Sequence, residues 1–570
     1  MTSAPYAAAS AVAAAVPAAL PEAGHVVAHT LLNCLLREVC GPGHHTAVSD
    51  GHLLLRLPRS GTLLRVRLRR ASLIGAHRLT GPVAEERGGT FGELSWQGLA
   101  ERIHHELLLR TGVRNDEFPE QVAATHAGVR AALAAHRAGA VPAAAADRYR
   151  NSEQSLLFGH RFHPTPKART GSGAHWARYA PEAGARFALR HLAVRPEHIR
   201  QESTGAHALS ALDRLGRVPP GHLLLPVHPW QYAMLRRHPA LRAALRRGAV
   251  LDLGPRGTRF WPTASVRTLY DGRDFLKCSL NIRITNCLRK NAEYELAGAV
   301  ALTRLLEPVA ADLAARFPGT VLLREPAYRT LDVGSRDLVE GFGVIVREGL
   351  GSRLAPGLTA LLAAAVADEY PTGPAQLNHL LAGAGEQQAL TWWETYLKLL
   401  VPPVLAAFFD HGVVLEPHLQ NVVIGVDAAG TPRQVLLRDL EGTKLLAAHH
   451  ARTLATLEPG VAAPLTYDAA RGWDRVVYCL VVNHLAEMLA ALADRHPHLE
   501  ARLWCAVRRA LAGCAAAHGH PRPLRALIAG APLPAKANLL TRWERKADRD
   551  AGYVRIGSPL GSGLLKALSS

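Results

Sequence analysis

An α+β fold is the class this sequence predicts, and three observations predict it. Apolar residues recur at helical spacing in Leu99 to Leu109 and Gln121 to Arg137. Between residues 222 and 290 the pattern becomes strand-like, and after 350 helical patterning returns around a single hairpin with arms Asn421 to Ile424 and Gln434 to Leu437. At 570 residues, with 48% hydrophobic and 20% charged residues, the chain is long enough for several structural units and has an ordinary globular composition.

Met1 to Leu36 is alanine-rich, lacks Lys and Arg, and is cut by Pro5, Pro17 and Pro21, so it lacks a signal peptide's basic n-region. It reads as a frayed lead-in to a short helix, Thr30 to Val39. A hairpin follows, His52 to Leu57 and Thr62 to Leu68, turning at Arg59-Ser60-Gly61. In Arg65-Val66-Arg67-Leu68-Arg69 charge alternates with apolar residues, which predicts a strand with one solvated basic face. The alanine-rich stretch Ala138 to Ala146 marks the end of a first unit near residue 150. Strands are then expected at Leu223 to Val227, Phe260 to Val266, Phe275 to Ile284, Val321 to Leu323 and Gly343 to Val346. The apolar run Val476 to Val482 stops at Asn483-His484, short of the ~20 residues of a membrane span. No membrane segment is expected.

The formal net charge of +19 raises the question of nucleic acid. Of the 66 basic residues, however, 58 are Arg and 8 are Lys, and they are scattered along the chain without aromatic residues interleaved for base stacking. A small polyanion suits such a field better. The seven cysteines, at 34, 40, 278, 287, 479, 505 and 514, form an odd set without a C-x-x-C pair, which points to a reducing cytoplasm.

Phosphate-loop, zinc-protease, nucleophile-elbow and dinucleotide fingerprints are all missing. Four other segments gather polar groups. Gly159-His160-Arg161-Phe162-His163-Pro164-Thr165-Pro166-Lys167-Ala168-Arg169 forms an irregular loop presenting His, Lys and Arg together. In Leu225-Pro226-Val227-His228-Pro229, the lone His at a strand end reads as structural. The third segment runs from Thr263 to Asn291. Period two there places Lys277, Ser279, Asn281, Arg283 and Thr285 on one face, paired across a hairpin with Ser265 and Arg267. Arg forks and a Lys point charge suit phosphate and carboxylate oxygens. The fourth segment, His411 to Lys444, folds back on itself, so Gln420 and Asn421 return beside Asp439 and Glu441. These hard oxygen donors suit Mg²⁺ bridging nucleotide phosphates, a placement shared with the metal end of protein kinases. Four of the eight Lys (167, 277, 290, 444) fall in these segments. Trp393, Tyr396, Leu397 and Leu400 sit at helical spacing as core, and Cys278 and Cys287, with no base beside them, read as packing residues.

Together, Glu153-Gln154 leading into GHRFHPTPKARTG, then LPVHPWQ, ASVRT, LKCSLNIRITNCLRKN, GVIVRE, DHGVVLEPHLQNVVI and LRDLEG closely resemble the NRPS-independent siderophore synthetases of the aerobactin-synthetase-like family. The resemblance implies a cupped hand: a thumb over 1–150, sheet-bearing fingers over 151–370 and a helical palm over 371–570. It implies that ATP adenylates a carboxylate, citrate or a derivative, with release of pyrophosphate, and that an amine, hydroxylamine or alcohol then takes the acyl group. Carried onto matching positions, Ser265, Arg267 and Lys277 hold the ATP phosphates. Thr285, Arg289, His160, His163 and Lys167 hold the carboxylate. His418 lies at the junction, and Gln420, Asn421, Asp439 and Glu441 form the nucleotide and Mg²⁺ set, with Gln420, Asp439 and Glu441 as metal ligands. Arg289, His418 and Lys277 are the catalytic candidates. The chain departs from the common family form at Arg161-Phe162 and again after Lys536. Family members are often dimers. The partners implied are small molecules, with neither nucleic acid nor a membrane. The competing reading is a kinase-like phosphotransferase, which would yield ADP.

Overall fold

In the computed structural model, residues 19–139, 147–169, 176–205, 207–284, 287–546 and 551–561 are described. Helix and sheet are mixed throughout, as expected.

The N-terminal helix, Ala23–Leu35, runs directly into a π-helical turn, Leu36–Cys40. This corrects the expectation of a lead-in frayed as far as Leu36. Val27, Leu31, Leu32 and Leu35 are buried against an antiparallel five-stranded meander and the helices Trp96–Thr111 and Glu117–Arg137. The third strand of the meander, Leu63–Arg70, buries Leu64, Val66 and Leu68 and turns Arg67 to solvent, as its alternation predicts. Leu539 and Trp543 join this core from the far end of the chain. Glu38 accepts hydrogen bonds from the backbone N–H groups of Leu539 and Leu540, both at 2.9 Å, and burial pushes its carboxyl up to about 8.

The middle of the chain forms an eight-stranded antiparallel sheet whose central strands are Val344–Arg347, Phe275–Cys278, Thr268–Tyr270 and Val250–Pro262. The strand expected to run from Phe275 to Ile284 ends at Cys278. Beyond it the N–H of Ser279 still bonds to Gly343 in register, but that of Leu280 bonds to Arg289, so the backbone leaves the ladder. A continuous cationic face from Lys277 through Thr285 therefore does not form, and Lys277 and Ser279 are buried rather than solvated. Thr285 lies outside the described residues.

A second sheet orders Thr320–Leu322, Pro432–Leu437, Val422–Val426 and Thr359–Leu362. Its hairpin turn is held by Asp427 Oδ1, which accepts from the N–H groups of Ala429 and Thr431 at 3.0 Å. The two sheets meet at an apolar contact of Trp261, Tyr270 and Phe275 with Leu323, Val423 and Leu436, which brings the Lys277 strand alongside the hairpin. Helices Glu293–Arg316 and Glu386–Phe409 back this junction. Trp393, Tyr396, Leu397 and Leu400 are core. The apolar run at 476–482 belongs to a longer helical segment, Ala469–Arg495. By length and composition it could cross a membrane, but 94% of its apolar window is buried inside the fold. Its centre, Tyr478–Leu485, is π-helical.

Candidate active site

The site is built on the turn joining Val250–Pro262 to Thr268–Tyr270. Val266 has φ +69°, a left-handed conformation that a β-branched residue adopts at a cost of about 1–3 kcal/mol. Packing of its side chain with Trp176, Trp230, Leu280 and Ile282 holds it there. The twist lets Ser265 Oγ accept from the N–H of Thr268 at 3.3 Å and points Arg267 inward. The Arg267 guanidinium donates to the side-chain oxygen of Asn291 and to the carbonyls of Arg289 and Lys290, both at 3.3 Å.

Register places Lys277 opposite Thr268 on one side and Ile345 on the other. Its ammonium bridges Asp439 and Glu441. Arg347 Nη2 reaches Asp439 Oδ1 and Glu325 Oε1, each at 2.7 Å, and Glu325 also accepts from the N–H of Glu441 at 3.1 Å. Arg267 Nη2 lies 3.7 Å from Glu441. Three cations and three carboxylates thus form one closed network. Burial disfavours the Lys277 charge, but Asp439 and Glu441 outweigh it and raise its pKa. Burial likewise opposes the charge on Asp439, yet Lys277 and Arg347 hold its carboxyl well below the usual carboxylate range. Asp439 is itself left-handed, φ +73°, at the end of the hairpin.

The other end of the hairpin supplies His418, Gln420 and Asn421 in a turn where the N–H of Asn421 bonds to the His418 carbonyl at 2.8 Å. The N–H of Arg438 then bonds to the carbonyl of Asn421 at 3.0 Å, so the two ends adjoin as the folding-back of the segment predicts. Glu153 welds the site together. Its Oε2 accepts from the N–H of Ala264 at 2.9 Å, while its Oε1 takes the Tyr149 hydroxyl at 2.6 Å and the Arg438 guanidinium. The 263–267 turn and the hairpin are therefore positioned by one buried carboxylate.

His418 is pulled down mainly by burial, with Glu416 and Asp439 opposing. On its far side Asn483, in the π-helical segment, accepts from the N–H of Leu419 at 3.2 Å and contacts His160 Nε2 at 3.0 Å. Burial, then Arg37, lower His160 to about 4. His163 is buried, its Nδ1 accepting from the N–H of Thr165 at 3.1 Å. The Lys167 ammonium is already paired with Glu182 at 3.1 Å and with the Leu156 carbonyl at 2.9 Å. Neighbouring Arg169 is lowered to about 10 by burial, with Arg289 adding repulsion, which sets two guanidiniums within electrostatic reach of each other. His228 caps a helix through the N–H of Trp230, in keeping with a structural role. The Cys278 thiol is buried and pushed up to about 12, which removes it as a nucleophile.

Ser265, Arg267, Lys277, Asn421, Asp439 and Glu441 therefore come together, with Asn483 linking the turn that carries His418 to His160. Sequence reasoning did not single out Arg347, Glu325, Arg438 or Asn483. The first three flank strands whose apolar interiors dominate the local pattern, and Asn483 only marked where an apolar run stopped.

Residues 148–368 match the model of the IucA / IucC family, and residues 390–551 match that of the ferric iron reductase FhuF-like transporter. The chain is 29% identical to the rhizobactin siderophore biosynthesis protein RhbC of Rhizobium meliloti (strain 1021), over 93% of this chain and 96% of that one. It is 33% identical to the L-2,3-diaminopropanoate–citrate ligase of Staphylococcus aureus (strain NCTC 8325 / PS 47), over 61% of this chain and 63% of the other. Its fold matches ATP-bound aerobactin synthetase IucA from a hypervirulent pathotype of Klebsiella pneumoniae, with a TM-score of 0.84 and 24% identity, covering 94% of this chain and 99% of that one. The petrobactin biosynthesis protein AsbB of Bacillus anthracis str. Sterne superposes with a TM-score of 0.73 at 19% identity, with 96% of each chain covered. Residues 148–368 of the chain thus carry an IucA / IucC family domain, in keeping with the family that its short motifs resemble.

Proposed function

We propose that the protein is an ATP-dependent ligase of siderophore assembly. It adenylates a carboxylate of citrate or a citrate derivative, releases pyrophosphate, and passes the acyl group to an amine, hydroxylamine or alcohol with loss of AMP. The names of the relatives support this: one is a citrate ligase, one a rhizobactin biosynthesis protein, and a structural neighbour was solved with ATP. Nothing among them favours the kinase-like alternative. The observation that carries the reading is the meeting of Arg267 and Lys277 with Asp439 and Glu441 in one buried network beside His418. In the same reading 1–150, 151–370 and 371–570 act as thumb, fingers and palm. The buried, unbridged Cys34, Cys40 and Cys479 accord with a cytoplasmic setting.

In this mechanism a carboxylate oxygen attacks the α-phosphorus while the bond to pyrophosphate breaks, and the amine then displaces AMP from the acyl carbon. Ser265, Arg267 and Lys277 bind the phosphate oxygens, taking up charge that the two anionic substrates would otherwise set against each other. Arg289, assisted by Arg169, holds the carboxylate, and His418 stands between acid and nucleotide. Asp439 and Glu441, with Gln420 beside them, are hard oxygen donors of the kind Mg²⁺ takes alongside phosphate, so the residues fit that ion. Bound there, Mg²⁺ would neutralise triphosphate charge.

The test is product identity. Incubation with ATP, citrate and a panel of amines should yield AMP and pyrophosphate dependent on the acid, and ADP with phosphate would overturn the reading. Arg289→Ala should depress citrate-dependent ATP–pyrophosphate exchange by ~10²–10³-fold while melting like the wild type.

A further inference from the structure

Arg37 lies on the π-helical turn Leu36–Cys40, far in sequence from every motif that drew attention. It is only 5% exposed. Its guanidinium carbon sits 3.2 Å from the centre of the Phe162 ring, and its Nη2 is buried with no hydrogen-bond partner. A buried guanidinium nitrogen without an acceptor is costly unless a ligand completes it.

Ion pairs surround it, although Glu487 Oε1 and Arg78 Nη2 are also buried without a hydrogen-bond partner. Arg69, Arg70, Arg78 and Arg161 pair with Glu369, Glu487, Asp494 and Glu500. Glu487 is the acid with the largest influence on Arg37, but Arg161 approaches its Oε2 at 3.2 Å and Arg78 at 3.8 Å. Glu38 also faces Arg37, yet its two oxygens accept from the Leu539 and Leu540 N–H groups. His160 feels Arg37, His418 and Lys536 together. Side chains from the N-terminal helix, the 159–169 loop, the 416–421 turn and the strand Leu533–Lys536 therefore meet at one corner of the site, where Arg37 brings a buried cation with an unfilled donor.

We propose that Arg37, beside His160, forms a subsite that binds a substrate carboxylate away from the reacting phosphate. The inference rests on the ligase reading above. One face of the guanidinium lies on Phe162, so its donors point outward in the ring-stacked plane. That geometry suits the in-plane fork of a carboxylate more than a tetrahedral phosphate. The carboxylate can belong to the acid being activated or to an amine that carries one.

The experiment uses the full chain with Arg37→Gln and Arg37→Lys. Citrate-dependent ATP–pyrophosphate exchange reads the acid. Condensation with L-2,3-diaminopropanoate against ethylenediamine, the same diamine without the carboxylate, reads the amine. Arg37→Gln should raise the KM of one of them by roughly 10–100-fold with the KM of ATP changed less than about twofold, and Arg37→Lys should fall between Gln and wild type. A shift in exchange assigns the subsite to the acid. A shift confined to diaminopropanoate assigns it to the amine. If the Gln variant does not fold, Arg37→Lys alone must still raise the same KM, because a point charge cannot fork. Unchanged KM values, or losses equal across citrate, both diamines and ATP, overturn the subsite. Absence of citrate-dependent exchange in the wild type overturns the ligase reading itself.

Discussion

Two charged regions of this molecule have opposite designs. Around Lys277 three cations and three carboxylates satisfy one another, and the network is closed. Around His160, Arg37 brings a guanidinium nitrogen that is buried without a hydrogen-bond partner. A closed network holds its geometry before ligand arrives, and under the proposed function it would exchange partners when phosphate enters. An open corner would instead gain its missing partner from the ligand. The contrast teaches that, under the proposed function, binding at the first site is an exchange of anions, whereas binding at the second is a completion.

The sharpest way to break this comparison is Lys277→Ala. It removes a phosphate donor and leaves Asp439 and Glu441 facing each other without their bridge, so acid-dependent pyrophosphate exchange should fall by ~10³-fold or more, measured at saturating ATP. A tenfold loss would mean that the carboxylates, and not the ammonium, dominate that site. Glu153→Gln acts one step back. It strips charge from the Arg438 partner and weakens the bond to Ala264, so the protein should lose about 3 kcal/mol in denaturant melts. The KM of ATP should rise about tenfold with smaller change in that of the acid, as expected for a positioning residue.

Per unit of pH, the smallest effect for each group comes from acid. His77 and His160 are lowered to about 4, and His228 and His484 to about 3, all chiefly by burial. Their folded values lie below the ordinary 6.5, so as pH falls below it the unfolded chain takes up protons that the folded one refuses. Stability should be complete above about pH 6.5 and decline by up to about 1.4 kcal/mol per unit for each such histidine down to pH 3–4. Thermal melts across that range check this. A flat profile would mean that these rings are protonated in the fold, and that the open corner is more positive than described.

Much of the candidate site's assembly was legible in the sequence, because Ser265, Arg267, Lys277, Asn421, Asp439 and Glu441 lie within two hairpins whose turns are locally encoded. What failed was extrapolation along a strand. Period two is sound while the ladder continues, but the carbonyl of Arg289 takes the Leu280 N–H and ends it. The N-terminal helix was misjudged for the same reason, since the Leu539 and Trp543 that bury it come from the other end of the chain. Glu325 and Arg347 look like ordinary strand-end charges until tertiary approach brings them to Asp439, and no local pattern carries that information. Arg37 gave only an Arg-Glu pair within an apolar helix.

The docking of Leu539 and Trp543 into the amino-terminal core has a consequence for biosynthesis. A ribosome extrudes residues 23–122 long before it reaches 543, so this first region waits with an unfilled apolar gap through most of translation. Completion of the earliest part depends on the last, and a premature stop a few dozen codons from the end would injure the beginning of the molecule.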